Sequence, residues 1–169
     1  MKIIKYIIVG ILVTVLISLS VIFFRFWPTD PRLNGTFKSD KEATITYLES
    51  TRNLRDEQRH FFNQIFGHLT LVFNGHKMES VMEPHTIKGY AGEDDRNSEG
   101  WSDKSYFFVA MSNKDNIIIV DLPSPIWNLN DAEEVQIEFD QDGFWVYSSF
   151  INSLFSGEPP FKEKFKKIR

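Results

Sequence analysis

An uninterrupted apolar segment near the N-terminus constrains this chain more than any other feature. Residues 6–24 read YIIVGILVTVLISLSVIFF, nineteen residues without a charged side chain. At about 1.5 Å of rise per residue, a helix of this length measures about 28 Å, close to the hydrocarbon thickness of a bilayer. Lys5 and Arg25 flank the segment, and Trp27 follows where interfacial aromatic residues are expected. We therefore predict a single-pass membrane anchor over residues 1–27.

A cleaved signal peptide is the alternative for this segment, because both begin with a short basic stretch before an apolar run. The run is longer than a typical signal-peptide core, and the nearest small-x-small site, Ser18-Leu19-Ser20, lies inside it. We favour the anchor, with the lipid bilayer as a partner through residues 6–24. Basic residues flank both ends, so their count does not decide the orientation. We expect a bacterial inner-membrane protein with its C-terminal domain in the periplasm, and a cytosolic domain is the alternative.

The composition of the chain excludes several classes of function. It carries 23 acidic and 19 basic residues, a net charge of −4, and every acidic residue follows the apolar run, which argues against nucleic-acid binding. The absence of cysteine excludes disulfides, thiolate zinc sites and cysteine nucleophiles. Sixteen phenylalanines supply a packed core or an aromatic-lined cavity.

The pattern of apolar and polar residues predicts one globular domain after the anchor. It occupies residues 33–157, between a linker at 28–32 and a basic tail at 158–169. Two helices are predicted near its start, at about 41–51 and 54–66. The tail is predicted to fray in solvent, and contact with anionic lipid head groups is the alternative.

Local signals mark the ends of the two predicted helices. Ser39 and Glu42 have the S-x-x-E spacing of a capping box, and Asn53 is a candidate N-cap for the second helix. Gly67 is the expected stop of that helix. An apolar stripe at helical spacing, which includes Phe62, is expected to face the core.

The period of the apolar pattern then changes from about 3.6 to about 2, which is typical of an antiparallel meander. Asn74-Gly75 is a strong hairpin signal, residues 140–143 predict the last hairpin, and a short helix follows near 150–155. With a first strand at Phe37, eight strands are predicted, the others being Leu69–Phe73, Lys77–Glu83, His85–Ala91, Lys104–Met111, Asn116–Leu122, Val135–Phe139 and Phe144–Ser149.

Eight short strands, each with one apolar face, favour a small closed barrel, because closure removes exposed strand edges. An open sheet covered by the two helices is the alternative. Inside such a barrel we expect the side chains of Phe37, Phe73, Phe108 and Phe139. They would contact a bound ligand if the interior is not already filled.

The segment Leu33-Asn34-Gly35-Thr36-Phe37-Lys38-Ser39-Asp40 resembles the opening strand of lipocalin-like (calycin) domains. Its Gly35-Thr36-Phe37 corresponds to the G-x-W motif of that family, with Phe in place of Trp. The resemblance implies an up-and-down barrel that binds an apolar or amphipathic small molecule. The two helices after the first strand depart from the family's order, and the arginine that accompanies the tryptophan near the end of the barrel is missing. The chain is also similar to small, membrane-anchored bacterial proteins that carry such domains.

No group of residues has the spacing of a known catalytic or metal site. The acidic loop at Glu93–Gly100 lacks the alternating aspartates of a calcium loop, and Asp140 and Asp142 are explained by turn chemistry. No G-x-S-x-G motif is present. The four histidines show neither i, i+4 nor H-x-H spacing, and they are His60, His68, His76 and His85. We expect no metal and no cofactor.

These observations predict a non-enzymatic, membrane-tethered barrel that binds a small apolar or amphipathic ligand or an envelope protein partner. The first alternative is a pure interaction or assembly module of a membrane complex. The second is an enzyme whose active site the sequence does not reveal, since active sites need convergent titratable groups in a pocket.

Overall fold

A computed structural model describes residues 10–18, 29–122, 133–147 and 161–169 of the chain. Residues 10–18 form helix α1. Within the described residues, no helix combines the length and the apolar character needed to cross a membrane. The remainder of the predicted span at 6–24 lies outside those residues, and so does the helix predicted near 150–155.

A closed barrel of eight antiparallel strands forms the body of the protein, as the sequence predicts. Its strands are neighbours in chain order, except that a separate hairpin stands between the third and the fourth. The first strand pairs with both the second strand and the last, which closes the barrel and leaves it without an open edge. The barrel strands are β1 (Gly35–Ser39), β2 (Leu69–Asn74), β3 (Lys77–Met82), β6 (Trp101–Ser112), β7 (Asn116–Leu122), β8 (Glu133–Phe139), β9 (Gly143–Tyr147) and β10 (Lys162–Lys167).

Phe144 is the centre of the barrel core. Its buried ring lies 4.6 Å from the ring of Phe37, 5.7 Å from that of Phe165 and 6.1 Å from that of Phe73, measured between centroids. Phe107 extends the cluster through an edge-on contact with Phe73 at 5.3 Å. Burial of each ring removes a large apolar surface from water, so this cluster stabilises the barrel strongly.

The two predicted helices follow β1, as α2 (Lys41–Thr51) and α3 (Asp56–Ile65). The N-cap of α2 is Asp40, whose carboxylate accepts from the Ala43 N–H at 3.0 Å, whereas the predicted cap Ser39 points into the barrel. Helix α3 begins after Arg55 rather than after Asn53. Gly67 follows α3 with φ +91, a left-handed conformation that favours glycine.

A second apolar cluster covers one end of the barrel. The rings of Phe62, Phe66 and Phe161 lie 5.6 to 6.0 Å apart, and Leu48 of α2 joins them, fully buried. Phe161 immediately precedes β10, so the two helices and the last strand are packed into one unit.

The predicted basic tail is part of the barrel. Residues 162–167 form β10, and the prediction that the barrel ends at residue 157 is wrong. Lysines and carboxylates face each other across β10 and the β8–β9 hairpin: Lys164 is buried and binds Asp140 and Asp142. Lys162 lies 2.5 Å from the Glu138 carboxylate. These carboxylates neutralise the lysines that make the tail basic in the sequence.

The predicted strand His85–Ala91 does not enter the barrel. Only β4 (His85–Ile87) is extended there, and it pairs with β5 (Arg96–Ser98) in a two-stranded sheet outside the barrel. We call residues 85–98 the arm. Part of the acidic loop is therefore strand rather than solvated loop, and β10 takes the eighth place in the barrel.

The described part of the predicted linker docks against the barrel. A 3₁₀ turn at Pro31–Leu33 follows Asp30, and Arg32 donates to the carbonyl of Asn113 at 2.8 Å in the β6–β7 turn. The Arg32 guanidinium stacks over the Phe139 ring at 4.2 Å. Hydrogen bonds from Arg32 hold the pKa of Asp30 at about 2, against the desolvation that burial imposes on this carboxyl.

Candidate functional site

The four phenylalanines predicted to line the barrel occupy different environments. Phe37 and Phe73 are buried in the core, and Phe139 is partly buried against it. The prediction for Phe108 is wrong, because β6 directs Phe107 inward and leaves Phe108 half-buried on the outer face. In the part of the chain that the structure describes, the interior rings contact one another, so these residues form a core.

A groove of about 290 Å³ lies outside the barrel, between α3 and the arm. Helix α3 supplies one wall with His60 and Phe61, whose side chain is 42% exposed although it is a large aromatic group. The arm supplies the other wall with Ile87 and Tyr90. The groove therefore offers apolar surface to the solvent on both sides.

The charged residues of the groove balance one another. Three are basic and three are acidic, and they are Arg55, Lys88, Arg96, Glu57, Glu93 and Asp94. Lys88 is ion-paired with Asp95 at 2.6 Å. Among the described residues, Arg55 and Arg96 have no ion-pair partner, so both guanidinium groups are available to a bound molecule.

Internal contacts fix the shape of the arm. Asp95 accepts hydrogen bonds from the Lys88 ammonium and from the Gly89 N–H at 3.0 Å. The chain turns so tightly here that a Cβ on Gly89 would lie 1.8 Å from the carbonyl oxygen of Glu93. Ala91 has φ +52, which also marks a tight turn.

Two contacts made by histidines connect the arm to the body of the protein. On the groove side, His60 Nε2 lies 2.9 Å from the carbonyl oxygen of Lys88, and its ring lies 5.5 Å from that of Tyr90. On the other side, the rings of His68 and His85 stack with centroids 4.1 Å apart and an interplanar angle of 4°. His68 precedes β2 and His85 begins β4, so the stack joins barrel and arm.

The charged surroundings of the stacked pair favour a neutral His68. Burial lowers the pKa of His68, and the neighbouring His85, Lys38 and Lys41 lower it further, while Glu83 opposes them. Within the described residues, no group of three histidine or acidic side chains is placed to hold a metal ion. In the described structure, the stack joins the barrel to the arm.

Glu163 is a second titratable group with an unusual environment. It points inward from β10, between Phe161 and Phe165, and accepts a hydrogen bond from Ser39 Oγ at 2.6 Å. Ser39 Oγ in turn accepts from the Gly67 N–H at 3.0 Å. Burial raises the pKa of Glu163 to about 7, although its hydrogen bond with Ser39 acts in the opposite direction. A half-buried carboxyl of this kind affects stability more directly than chemistry.

The groove is not visible in the sequence, because its two walls are separated by the first barrel hairpin. Phe61 falls on the apolar side of a predicted helix, and Tyr90 falls in a predicted strand. The one local signal is the pair Gly89 and Gly92 around Tyr90, which indicates a turn rather than a strand.

Comparisons of this chain with protein-family models, with curated proteins and with solved structures found no match. The closed eight-stranded barrel and the groove are therefore interpreted from their own geometry.

Proposed function

We propose that this protein is a non-enzymatic, membrane-tethered binding module whose ligand site is the groove between α3 and the arm. The observation that carries the proposal is the contrast between a barrel core filled by contacting rings and an open groove with exposed aromatic walls. Binding sites combine apolar lining with a few polar groups that orient the ligand. The groove has both.

The lining favours a small amphipathic molecule with a zwitterionic head. An apolar part would lie against Phe61, Tyr90 and Ile87, and an acidic group would meet the unpaired Arg96. The acidic residues of the lining suit a positively charged group on the same head. The volume of about 290 Å³ suits a molecule of amino-acid size or slightly larger.

The tether is proposed from the apolar run at residues 6–24. In α1, large apolar side chains such as Ile11 and Leu12 are exposed. Such side chains are stable in hydrocarbon and unfavourable in water. A periplasmic domain on a bacterial inner membrane remains our proposal for its location.

One contact supports the lipocalin-like interpretation of the barrel. The motif Gly35-Thr36-Phe37 lies on β1, and the ammonium of Lys167 lies 5.4 Å from the centre of the Phe37 ring. A cation on the last strand thus stands over the aromatic residue of the motif, where the resemblance implies an arginine. Lys167 also donates to the carbonyl of Asn34 at 2.8 Å, which ties the last strand to the start of the first.

The proposal is tested with full-length protein in lipid nanodiscs and Nε-dansyl-lysine, a zwitterionic amino acid with an apolar fluorophore. We expect saturable binding with enhanced dansyl emission, above that of protein-free nanodiscs. Phe61→Ser and Arg96→Ser should each weaken it by about tenfold, since loss of a desolvated aromatic or charged contact costs about 1.4 kcal/mol or more.

Tyr106→Ser is the matched control, because Tyr106 is a similarly exposed aromatic residue, 39%, on β6 outside the groove. Its binding should equal that of the unmodified protein. Absence of saturable binding, or equal weakening by all three substitutions, would contradict the proposal. In that case the alternative of an assembly module would be tested by cross-linking the protein to its partners in intact membranes.

A further inference from the structure

We infer that the stacked pair His68 and His85 is an acid-sensitive clasp that holds the arm against the barrel and thereby keeps the groove formed. This inference rests on the proposed function, because it assigns a control to the same groove. The observation behind it is the coplanar contact between a ring on the barrel and a ring on the arm, 4.1 Å apart.

Neutral imidazole rings can stack at this separation, whereas two imidazolium rings repel each other. His85 Nδ1 lies 2.9 Å from the carbonyl oxygen of Glu83, and a carbonyl only accepts, so Nδ1 carries the proton of the neutral ring. The acid-sensitive element is the ring contact together with the desolvation of His68.

The charged groups around the stack do not offset this repulsion. Lys38 and Lys41 lie on the barrel side and oppose a charge on His68. Glu83 is the one acidic group among those acting on His68, and its carboxylate is already ion-paired with Lys38 at 2.8 Å. His68 thus has more neighbours that disfavour its protonation than neighbours that favour it.

The second attachment of the arm responds differently to pH. His60 Nε2 faces the Lys88 carbonyl, so its N–H donates in the neutral ring and in the imidazolium alike. Protonation at the stack would release one side of the arm while this hydrogen bond retains the other. Ile87 and Tyr90 flank Lys88, so after release at the stack this groove wall would be held through the His60 hydrogen bond without the support of the His68–His85 contact.

The direction of the pH effect follows from the lowered pKa of His68. In the closed arm this pKa lies below 6.5, and in the released arm it returns to about that value. Protons therefore bind the released arm more readily, so the closed arm is favoured fully above about pH 6.5 and progressively less as the pH falls from there towards the lowered pKa. If the pKa of His68 differs by one between the closed and the released arm, the ratio of closed to released arm changes by up to about tenfold.

Hydrogen–deuterium exchange of the full-length protein in nanodiscs tests the clasp. Exchange of the arm amides, corrected for the intrinsic pH dependence of exchange, is compared at about pH 7.5 and about pH 5. We expect protection of residues 85–98 to fall by about tenfold at the lower pH, while the barrel strands remain protected. His68→Phe keeps an aromatic ring in the stack and removes the titratable group of the barrel side, so the arm of this protein should remain protected at the lower pH. His76→Gln, in the β2–β3 turn, is the control and should behave like the unmodified protein.

Unchanged arm protection in the unmodified protein, or an equal loss of protection in the His68→Phe protein, would overturn the clasp. If the His68→Phe protein does not fold, the unmodified protein still decides, because arm release must follow the titration of His68 observed by NMR. Dansyl-lysine binding separates the two proposals. Absence of binding near pH 7.5 refutes the groove as a site and leaves the exchange result valid, whereas binding that stays constant while the arm is released refutes control of the groove.

Discussion

Ser39 Oγ donates a hydrogen bond of 2.6 Å to the carboxyl of Glu163 inside one end of the barrel. Ser39 lies on the first strand of the barrel and Glu163 on the last, so the contact spans the seam where the barrel closes. It also places an ionisable group between the two apolar clusters. The stability of the barrel should therefore depend on pH through this seam.

Replacing Glu163 by Gln should stabilise the protein in alkaline solution. The folded pKa of about 7 exceeds the ordinary value of 4.5, so the folded state holds its proton more tightly than the unfolded state. Stability is then greatest below about pH 4.5 and falls as the pH rises through about 7. Urea unfolding near pH 8 should show a gain of up to about 3 kcal/mol for Glu163→Gln.

The same substitution should have little effect near pH 4, where the carboxyl is protonated in the folded protein. Glu99→Gln, at an exposed glutamate before β6, is the control and should leave stability unchanged at both pH values. Equal effects of Glu163→Gln at the two pH values would show that burial does not raise the pKa of this carboxyl.

Asp30→Asn should destabilise the protein near neutral pH. The Asp30 carboxylate accepts from Arg32 and from Ser112 Oγ at 2.8 Å, and its pKa is lowered to about 2. Its contribution is complete above about pH 3.8 and disappears as the pH falls through about 2. Thermal unfolding near pH 7 should reveal a loss of about 1 to 3 kcal/mol, typical of a charged hydrogen-bonding group. A loss of the same size near pH 2 would contradict this assignment.

Phe107→Ala and Phe108→Ala should differ sharply although the two residues are adjacent. Truncation of the buried Phe107 leaves a cavity in the barrel core and should cost about 3 to 5 kcal/mol. The half-buried Phe108 lies on the outer face, so its truncation should cost less than half as much. The free energy of unfolding in urea measures both, and equal losses would mean that the orientation of β6 is misassigned.

Gly89→Ala should impair the groove without unfolding the barrel. A Cβ at this position would clash with the Glu93 carbonyl oxygen, so the tip of the arm must rearrange. We expect dansyl-lysine binding to weaken by about tenfold or more while the melting temperature falls by only a few degrees. Gly92→Ala, in the same turn, separates the clash from strain, because its Cβ meets no atom within 4 Å while its φ of +97 is a strained conformation for any side chain. A similar loss of binding in both proteins would point to backbone strain rather than to the clash.

The barrel and its two helices follow from short-range signals in the sequence. Period-2 alternation, the Asn74-Gly75 turn and the stop at Gly67 are all local, and the structure agrees with each of them. The orientation of β6 is different, because Phe107 and Phe108 are both apolar and either could face the core. Only the pairing of β6 with its neighbours decides the matter.

The last barrel strand was not predicted from the sequence because its charged residues obscure the alternation of inward and outward side chains. Phe161 and Phe165 face inward, but the inward position between them is Glu163, and the outward positions are lysines. The carboxylates that neutralise those lysines lie on the β8–β9 hairpin, so the segment resembles a solvated tail when it is considered alone. The groove could not be predicted from the sequence for a similar reason, since its two walls meet only in the folded chain.

The most direct test of the account is to locate a bound molecule by photo-crosslinking. Free p-benzoylphenylalanine, a zwitterionic amino acid with a photoreactive apolar group, is irradiated with the full-length protein in nanodiscs, and the modified residues are mapped by mass spectrometry. We predict saturable labelling confined to the N-terminal half of α3 and to residues 87–96 of the arm. Labelling of the interior residues Phe37, Phe107 or Phe144 would instead place the binding site inside the barrel and contradict the account.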